Sequence, residues 1–341
     1  MSLPATPPAR RPVAARLLGH FLNAAGILVL AVVILWCTGA VYYSTIPSAA
    51  VRGVAAAVFL GGLAAVAVFV RPHRLRRRIQ LGACAAVIVW FLLTPASNER
   101  AWQPDLALLP WAEIEGDRVT IHNIRHCDYR SETDYTVRHY DRTVSLAQLR
   151  SVDFMVVTWG SPSIAHTMMS FGFADGATVC ISIETRKEVG EGYSAVKGFF
   201  RQFELAYVIA DERDLVRLRT NFRGEQVHLY RLRTDMDVAR QVFLDYLAQA
   251  NRLKDRPEWY NVVTANCTTM IRGHTKPYAK DASFDWRMLI NGTIDEMAYE
   301  RGALDQSLPF AELKARSLIN ERAIAAGDGP DFSEKIRVGL P

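Results

Sequence analysis

Residues 165–185 read AHTMMSFGFADGATVCISIET, and how this stretch folds back on itself decides the architecture around it. Two apolar runs, 165–173 and 177–185, flank Asp175-Gly176, a pair suited to a tight hairpin turn. Two registers are open. A turn built from Ala174-Asp175-Gly176 with a glycine bulge sets Phe173 opposite Ala177 and His166 opposite Glu184. A two-residue turn pairs His166 with Thr185 and sends Glu184 to the other face, and Ser182 is then the nearest substitute. Outward from the hairpin, 152–158 (VDFMVVT) is a short apolar run of the kind a buried strand shows. Residues 119–124 alternate, and 205–210 and 227–232 also read as strands. Residues 193–204 and 237–253 read as helices. In the second, Val238, Val242, Tyr246 and Leu253 fall near one stripe, with Thr234 or Asp235 as cap. Beyond Asp285 the chain reads as further helices and irregular segments, so the fold class is α+β.

The 341 residues are 50% hydrophobic, with Lys+Arg 40 against Asp+Glu 35, a composition that excludes disorder. The charge is unevenly placed. Residues 1–94 hold nine Arg (Arg10, Arg11, Arg16, Arg52, Arg71, Arg74, Arg76, Arg77 and Arg78) and no Lys, Asp or Glu. The remainder carries 31 basic and 35 acidic residues. The basic excess therefore sits between apolar runs, where it reports membrane orientation rather than nucleic-acid binding. Uncharged runs at 24–43, 53–70 and 79–98 predict three transmembrane spans, each near the ~20 residues that cross a ~30 Å layer. The first is longer than a secretory signal core of about 7–15 residues, which argues against cleavage near Thr38-Gly39-Ala40. The positive-inside rule places the N terminus and the 71–78 loop in the cytoplasm, leaving 99–341 as one extracytoplasmic domain behind a 1–98 anchor.

Within that domain the candidate chemistry centres on Cys267. In Asn266-Cys267-Thr268-Thr269, Asn266 is a good N-cap. A helix starting there places the thiol in its first turn, where free N–H groups and the macrodipole favour a thiolate. A small residue buried under a helix end is the plainer alternative. A nucleophilic thiol needs a base and an orienting group. His166 is the candidate base, and Glu184 is the candidate third residue if the bulged register holds. His122 and His126 sit in a strand-like alternation, where positions four apart lie about 13 Å from each other, a poor metal pair. Asp211-Glu212-Arg213-Asp214 reads as a solvated, ion-paired helix start. Met168 and Met169 read as packing residues.

Three blocks carry a family likeness: WGSPSIAHTMMSFGF (159–173), ISIETRKEVGEGYSAVKGFFRQFELAYVIADERDLVRLRT (181–220) and PEWYNVVTANCTT (257–269). Together they resemble the extracytoplasmic domain of the Lnb-type lipoprotein N-acyltransferases, over residues 102 to 275. More distantly, an early-strand His followed by Asn-Cys at a helix start resembles the circularly permuted papain-like enzymes. That group includes lecithin:retinol acyltransferase and cell-wall peptidases. The resemblance implies a permuted papain-like domain of antiparallel sheet packed with helices, in the periplasm on the bacterial inner membrane. It implies Cys267 as nucleophile, His166 as base and, weakly, Glu184, with no cofactor or metal. The implied activity is acyl transfer through a thioester, with phospholipid or lipoprotein esters as substrates. Trp159, Tyr260 and Phe171 are candidate lining for an apolar tail, and Asn266 a candidate substrate contact. A thiol peptidase or amidase of cell-wall peptides, or a non-catalytic envelope protein, would keep the same fold. Lnb itself carries its larger membrane portion after this domain, whereas here the apolar runs come first.

Overall fold

The computed structural model describes residues 13–279 and 283–341. Arg10, Arg11 and the Arg16 side chain, used above for orientation, lie outside the described part. Two compact units meet at Pro95/Ala96. The boundary falls before Asn98 because Ser97 and Asn98 already belong to the second unit. Ser97 N–H donates to Glu204 Oε1 at 3.1 Å. Asn98 Nδ2 donates to the Leu253 and Lys254 carbonyls at 3.0 and 2.7 Å.

The first unit contains α1 (Val13–Tyr42), α2 (Ala49–Phe69) and α3 (His73–Leu93), packed around Cys37, Leu63 and Cys84. Ser48 caps α2, its hydroxyl accepting from Val51 N–H. Two of these helices, over Leu17–Tyr42 and Ala49–Phe69, are long and apolar enough to cross a membrane. The expected third span is corrected. Helix α3 starts after Pro72, takes Arg74, Arg76, Arg77 and Arg78 into its opening turns, and stops at Leu93. Pro95 holds Thr94 in an extended conformation, so 94–98 cannot continue the helix. The uncharged helical part, 79–93, is roughly 22 Å long at 1.5 Å per residue.

The second unit is α+β. In chain order it contains β1 (Trp111–Glu115), β2 (Arg118–Arg125), β3 (Asp128–Tyr129), β4 (Tyr135–Thr136), β5 (His139–Ser145), β6 (Leu149–Trp159), β7 (Ser161–Phe173) and β8 (Thr178–Arg186). There follow α4 (Ala195–Phe199), β9 (Glu204–Ala210), α5 (Glu212–Arg217), β10 (Gln226–Arg231), α6 (Met236–Asp255) and α7 (Cys267–Thr275). The C-terminal part forms α8 (Ile294–Glu300), α9 (Phe310–Ser317), α10 (Asn320–Ala326) and α11 (Phe332–Lys335). The main sheet runs β1-β2-β9-β8-β7-β6-β10, with β5 also paired to β2. Its pairs are antiparallel except β2 with β9.

Apolar side chains on both faces explain why helices cover both. One core joins Phe171, Phe173 and Tyr207 of the sheet to Phe243 and Tyr246 of α6. The other joins Met155, Met168 and Val208 to Leu215, Ile319 and Phe332 of the α5, α10 and α11 side. Asp235 caps α6 by accepting from Asp237 N–H at 2.7 Å. The helix expected over 193–204 shrinks to Ala195–Phe199, and Arg201 beyond it is left-handed at φ 56°. The acidic run at 211–214 is also corrected. Asp211 caps α5, but Glu212 and Asp214 are fully buried. Asp214 accepts from Arg125 Nε and Nη2 at 3.0 and 2.7 Å, and Glu212 pairs with Arg337.

Candidate active site

The hairpin turn takes the bulged form. Phe173 N–H donates to the Ala177 carbonyl at 2.9 Å, with Gly176 at φ 84°. Every rung then pairs residues as Met168 with Ser182 and Phe171 with Val179, so His166 faces Glu184. The ladder ends early. β7 stays paired to β6 as far as Ala165 and beyond, and β8 stays paired to β9 as far as Arg186, yet their own last rung is Met168–Ser182. Beyond it the two strands part as a fork, and α7 packs against both.

Helix α7 begins at Cys267 because Asn266 and Thr269 cap each other. Thr269 N–H donates to Asn266 Oδ1 at 2.9 Å, and Asn266 N–H donates to Thr269 Oγ1 at 2.9 Å. Asn266 Nδ2 donates to the Val262 carbonyl at 2.7 Å. With both ends of its amide engaged, Asn266 holds the helix start.

The Cys267 thiol is 8% exposed and lies against His166 and Thr167. Thr167 stands one residue past the last rung, so its backbone N–H, released from β8, is available to the sulfur together with its hydroxyl. Burial pushes the thiol up. The adjoining His166 imidazolium outweighs that, and with Thr167 also against the sulfur it brings Cys267 down to about 7.

His166 is held by a polar chain. Its Nε2 lies 2.7 Å from Ser182 Oγ and 3.3 Å from Glu184 Oε1. Ser182 Oγ donates to Glu184 Oε1 at 2.6 Å. A serine hydroxyl has one proton, so Ser182 accepts from the ring Nε2–H, which leaves Nδ1 for the sulfur. Arg219 Nη2 donates to the same Glu184 oxygen at 2.8 Å, and its Nη1 donates to the Leu215 carbonyl at 3.0 Å. Burial lowers the imidazole pKa, but Glu184 and the thiolate raise it further, to about 9. Burial raises Glu184, and His166 and Arg219 hold it well below the usual carboxylate range. The arrangement favours an imidazolium beside a thiolate, with a carboxylate held ionised behind the imidazole.

The remaining sequence candidates separate. Tyr260 is buried near Cys267 and Tyr193. A side chain at Gly198 would meet the Tyr260 ring at 3.2 Å. Trp159 is exposed at the β6–β7 corner. Phe171 does not line the site. It is fully buried in the α6 core, its ring 4.8 Å from Phe243, because it faces the opposite way from His166 along β7. His122 stacks on Trp111 and bonds Asp141 at 2.7 Å. All five cysteines are free and buried.

Sequence reasoning missed three groups: Thr167, Arg219 and Asn291. Asn291, 7% exposed, accepts from Ala165 N–H at 2.8 Å and donates to both the Ala165 carbonyl and Thr268 Oγ1 at 2.6 Å. Only the Asn-Gly pair at 291–292 hinted at a tight local structure there.

Residues 135–292 match the family model described as the Lnb N-terminal periplasmic domain. No curated protein and no solved structure matches the chain. The matched stretch contains His166, Ser182, Glu184, Arg219, Cys267 and Asn291.

Proposed function

With residues 135–292 an Lnb-type periplasmic domain behind two apolar N-terminal helices, we propose that this membrane-associated protein is a thiol acyltransferase. The Cys267 thiolate attacks the carbonyl carbon of a fatty-acyl ester on a phospholipid or lipoprotein. The oxyanion that forms is met at the helix start, where the cap has used the Thr269 N–H and left those of Cys267 and Thr268. The ester C–O bond breaks as the His166 imidazolium gives its proton to the leaving alkoxide, leaving a thioester and a neutral imidazole. An amine, hydroxyl or water then attacks the thioester, His166 takes its proton, and the thiolate leaves with the acyl group on the acceptor. The observation that carries this reading is the placement of Cys267, at a helix start, against an imidazole held by Ser182 and Glu184.

Membrane tethering favours an ester donor, since it holds the site near lipid at high effective concentration.

Incubation of the full-length protein with phospholipid vesicles, followed by intact-mass analysis, tests the chemistry. A fatty-acyl increment on Cys267 that is absent from Cys267→Ala is expected. No increment, together with cleavage of cell-wall stem peptides, would assign the same Cys–His pair to a peptidase or amidase instead.

A further inference from the structure

The fork between β7 and β8 has two vacant rungs, and neither is filled by a strand. In the register set by Phe173 and Ala177, the β7 residues whose backbone groups point toward β8 continue with Met169, Thr167 and Ala165. The partners of Thr167 and Ala165 in an unbroken ladder would be Ile183 and Thr185, but those residues stay paired only to β9, with Tyr207 and Leu205. At the first vacant rung Cys267 comes up against Thr167. At the second, the Asn291 side chain does what a strand would do. Its Oδ1 accepts from Ala165 N–H at 2.8 Å and its Nδ2 donates to the Ala165 carbonyl at 2.6 Å, reproducing both hydrogen bonds of a paired residue. The second proton of Nδ2 goes to Thr268 Oγ1 at 2.6 Å.

One buried amide thus grips the strand residue next to His166 and the helix residue next to Cys267. The following residue confirms how close the approach is. A Cβ on Gly292 would lie 1.9 Å from the Pro162 carbonyl oxygen, so no side chain fits where this segment crosses β7.

We infer that Asn291 is the positioning residue that sets the spacing between His166 and Cys267, by replacing a β-ladder rung and tying it to the start of α7. It touches neither the imidazole nor the sulfur in any contact described above, so it acts through Ala165 and Thr268. The role concerns the site of the proposed acyl transfer, but the ion pair can be read without that reaction.

The test is the pH dependence of Cys267 alkylation by iodoacetamide in the full-length protein, located by peptide mass and accompanied by a melting curve. In the unaltered protein the rate should rise through about pH 7. Asn291→Ala should move that rise toward the ordinary thiol range near 9, which lowers the rate at pH 7 by up to about fifty-fold as the thiolate fraction falls from a half to about one hundredth. Thr268→Val cuts only the branch to the helix and leaves both Ala165 hydrogen bonds. It should move the profile the same way by a smaller amount with little change in melting temperature. Asn291→Asp keeps the shape and the acceptor for Ala165 N–H but sets a carboxylate oxygen against the Ala165 carbonyl, so it should not rescue. If Asn291→Ala and Thr268→Val both fold and both retain the original alkylation profile, Asn291 is a purely structural residue. Because no acyl donor is involved, failure of acyl transfer in the mass experiment leaves this result standing, and the reverse also holds.

Discussion

Cys180 and Cys267 are both free, both buried and both within reach of the β7–β8 hairpin, yet their surroundings drive them in opposite directions. Cys180, in the middle of β8, lies near Glu212. Burial and that carboxylate push its thiol well above the ordinary value. Cys127 follows the same rule, raised to about 12 by burial and Asp214. Cys267 suffers the same burial but has an imidazolium for a neighbour, and it falls to about 7. The difference does not come from exposure. It comes from the sign of the charge that weighs most on each sulfur, and that sign is set by where the ladder stops. Cys180 sits on a complete rung, paired across to Ser170 and Ala210, whereas Cys267 enters a gap in which His166 can turn toward it.

Thiol reactivity is therefore the quantity that breaks or sharpens the contrast. The largest effect expected is in labelling itself. At pH 7 a single equivalent of iodoacetamide should enter the folded protein, at Cys267. Cys267→Ala should abolish it and Cys180→Ala should leave it unchanged, with the thiolate fraction favouring Cys267 by a thousandfold or more. Labelling of Cys180 or Cys127 at a comparable rate would overturn the charge argument.

A smaller effect follows from the support behind the imidazole. His166→Gln removes the cation and leaves burial unopposed, so the thiol should rise past its ordinary value and alkylation at pH 7 should fall by about 10²-fold or more. Glu184→Gln removes the charge that raises His166. The imidazolium should then lose its proton below pH 9, and the thiol, less stabilised, should ionise above pH 7. The reactive window between about 7 and about 9 narrows from both sides, which a bell-shaped pH profile measures directly. An unchanged upper limb in Glu184→Gln would remove Glu184 from the chain and leave Ser182 as the orienting group.

Which parts of this arrangement were legible in the sequence follows from the range of the forces that make them. The strands around the hairpin show in short apolar runs, and the start of α7 shows in Asn266 because capping is decided within four residues. The hairpin turn left two registers open, since Asp175-Gly176 suits both. The structure settles this through Phe173 and Ala177, and the position of Glu184 depends wholly on it. Arg219 gave no local sign and Asn291 only its Asn-Gly pair, because each acts across at least 23 residues of chain. Phe171 was misplaced for a different reason: it is apolar and near His166 in sequence, but strand alternation turns it into the α6 core. The third span failed at Pro95, whose effect on Thr94 a hydropathy count does not weigh. The acidic run 211–214 reads as surface by composition, and becomes interior only when Arg125 and Arg337 arrive from distant segments.

Those distant arginines supply the last test. Arg337, from the turn after α11, bridges two fully buried carboxylates, Asp153 and Glu212, with Nη2 2.8 Å from Asp153 Oδ2. Ser170 Oγ donates to Glu212 Oε1 at 2.5 Å, and Arg231 Nε donates to Asp153 Oδ1 at 2.5 Å. Like the chain behind His166, this network is built of buried carboxylates, arginine and serine on the same sheet, but it ends in no group that can exchange a proton with a nucleophile. Arg337→Met leaves Glu212 without its cation and should cost about 3–5 kcal/mol of stability. Denaturant unfolding of the isolated change measures that loss. The alkylation profile of Cys267 should not move, since Arg337 contacts none of His166, Ser182, Glu184 or Arg219 in the bonds that hold them. A shift in that profile would mean that the two networks are coupled through β8, where Cys180 and Ser182 stand two residues apart, and that the separation of a load-carrying cluster from a reactive one is not how this sheet is built.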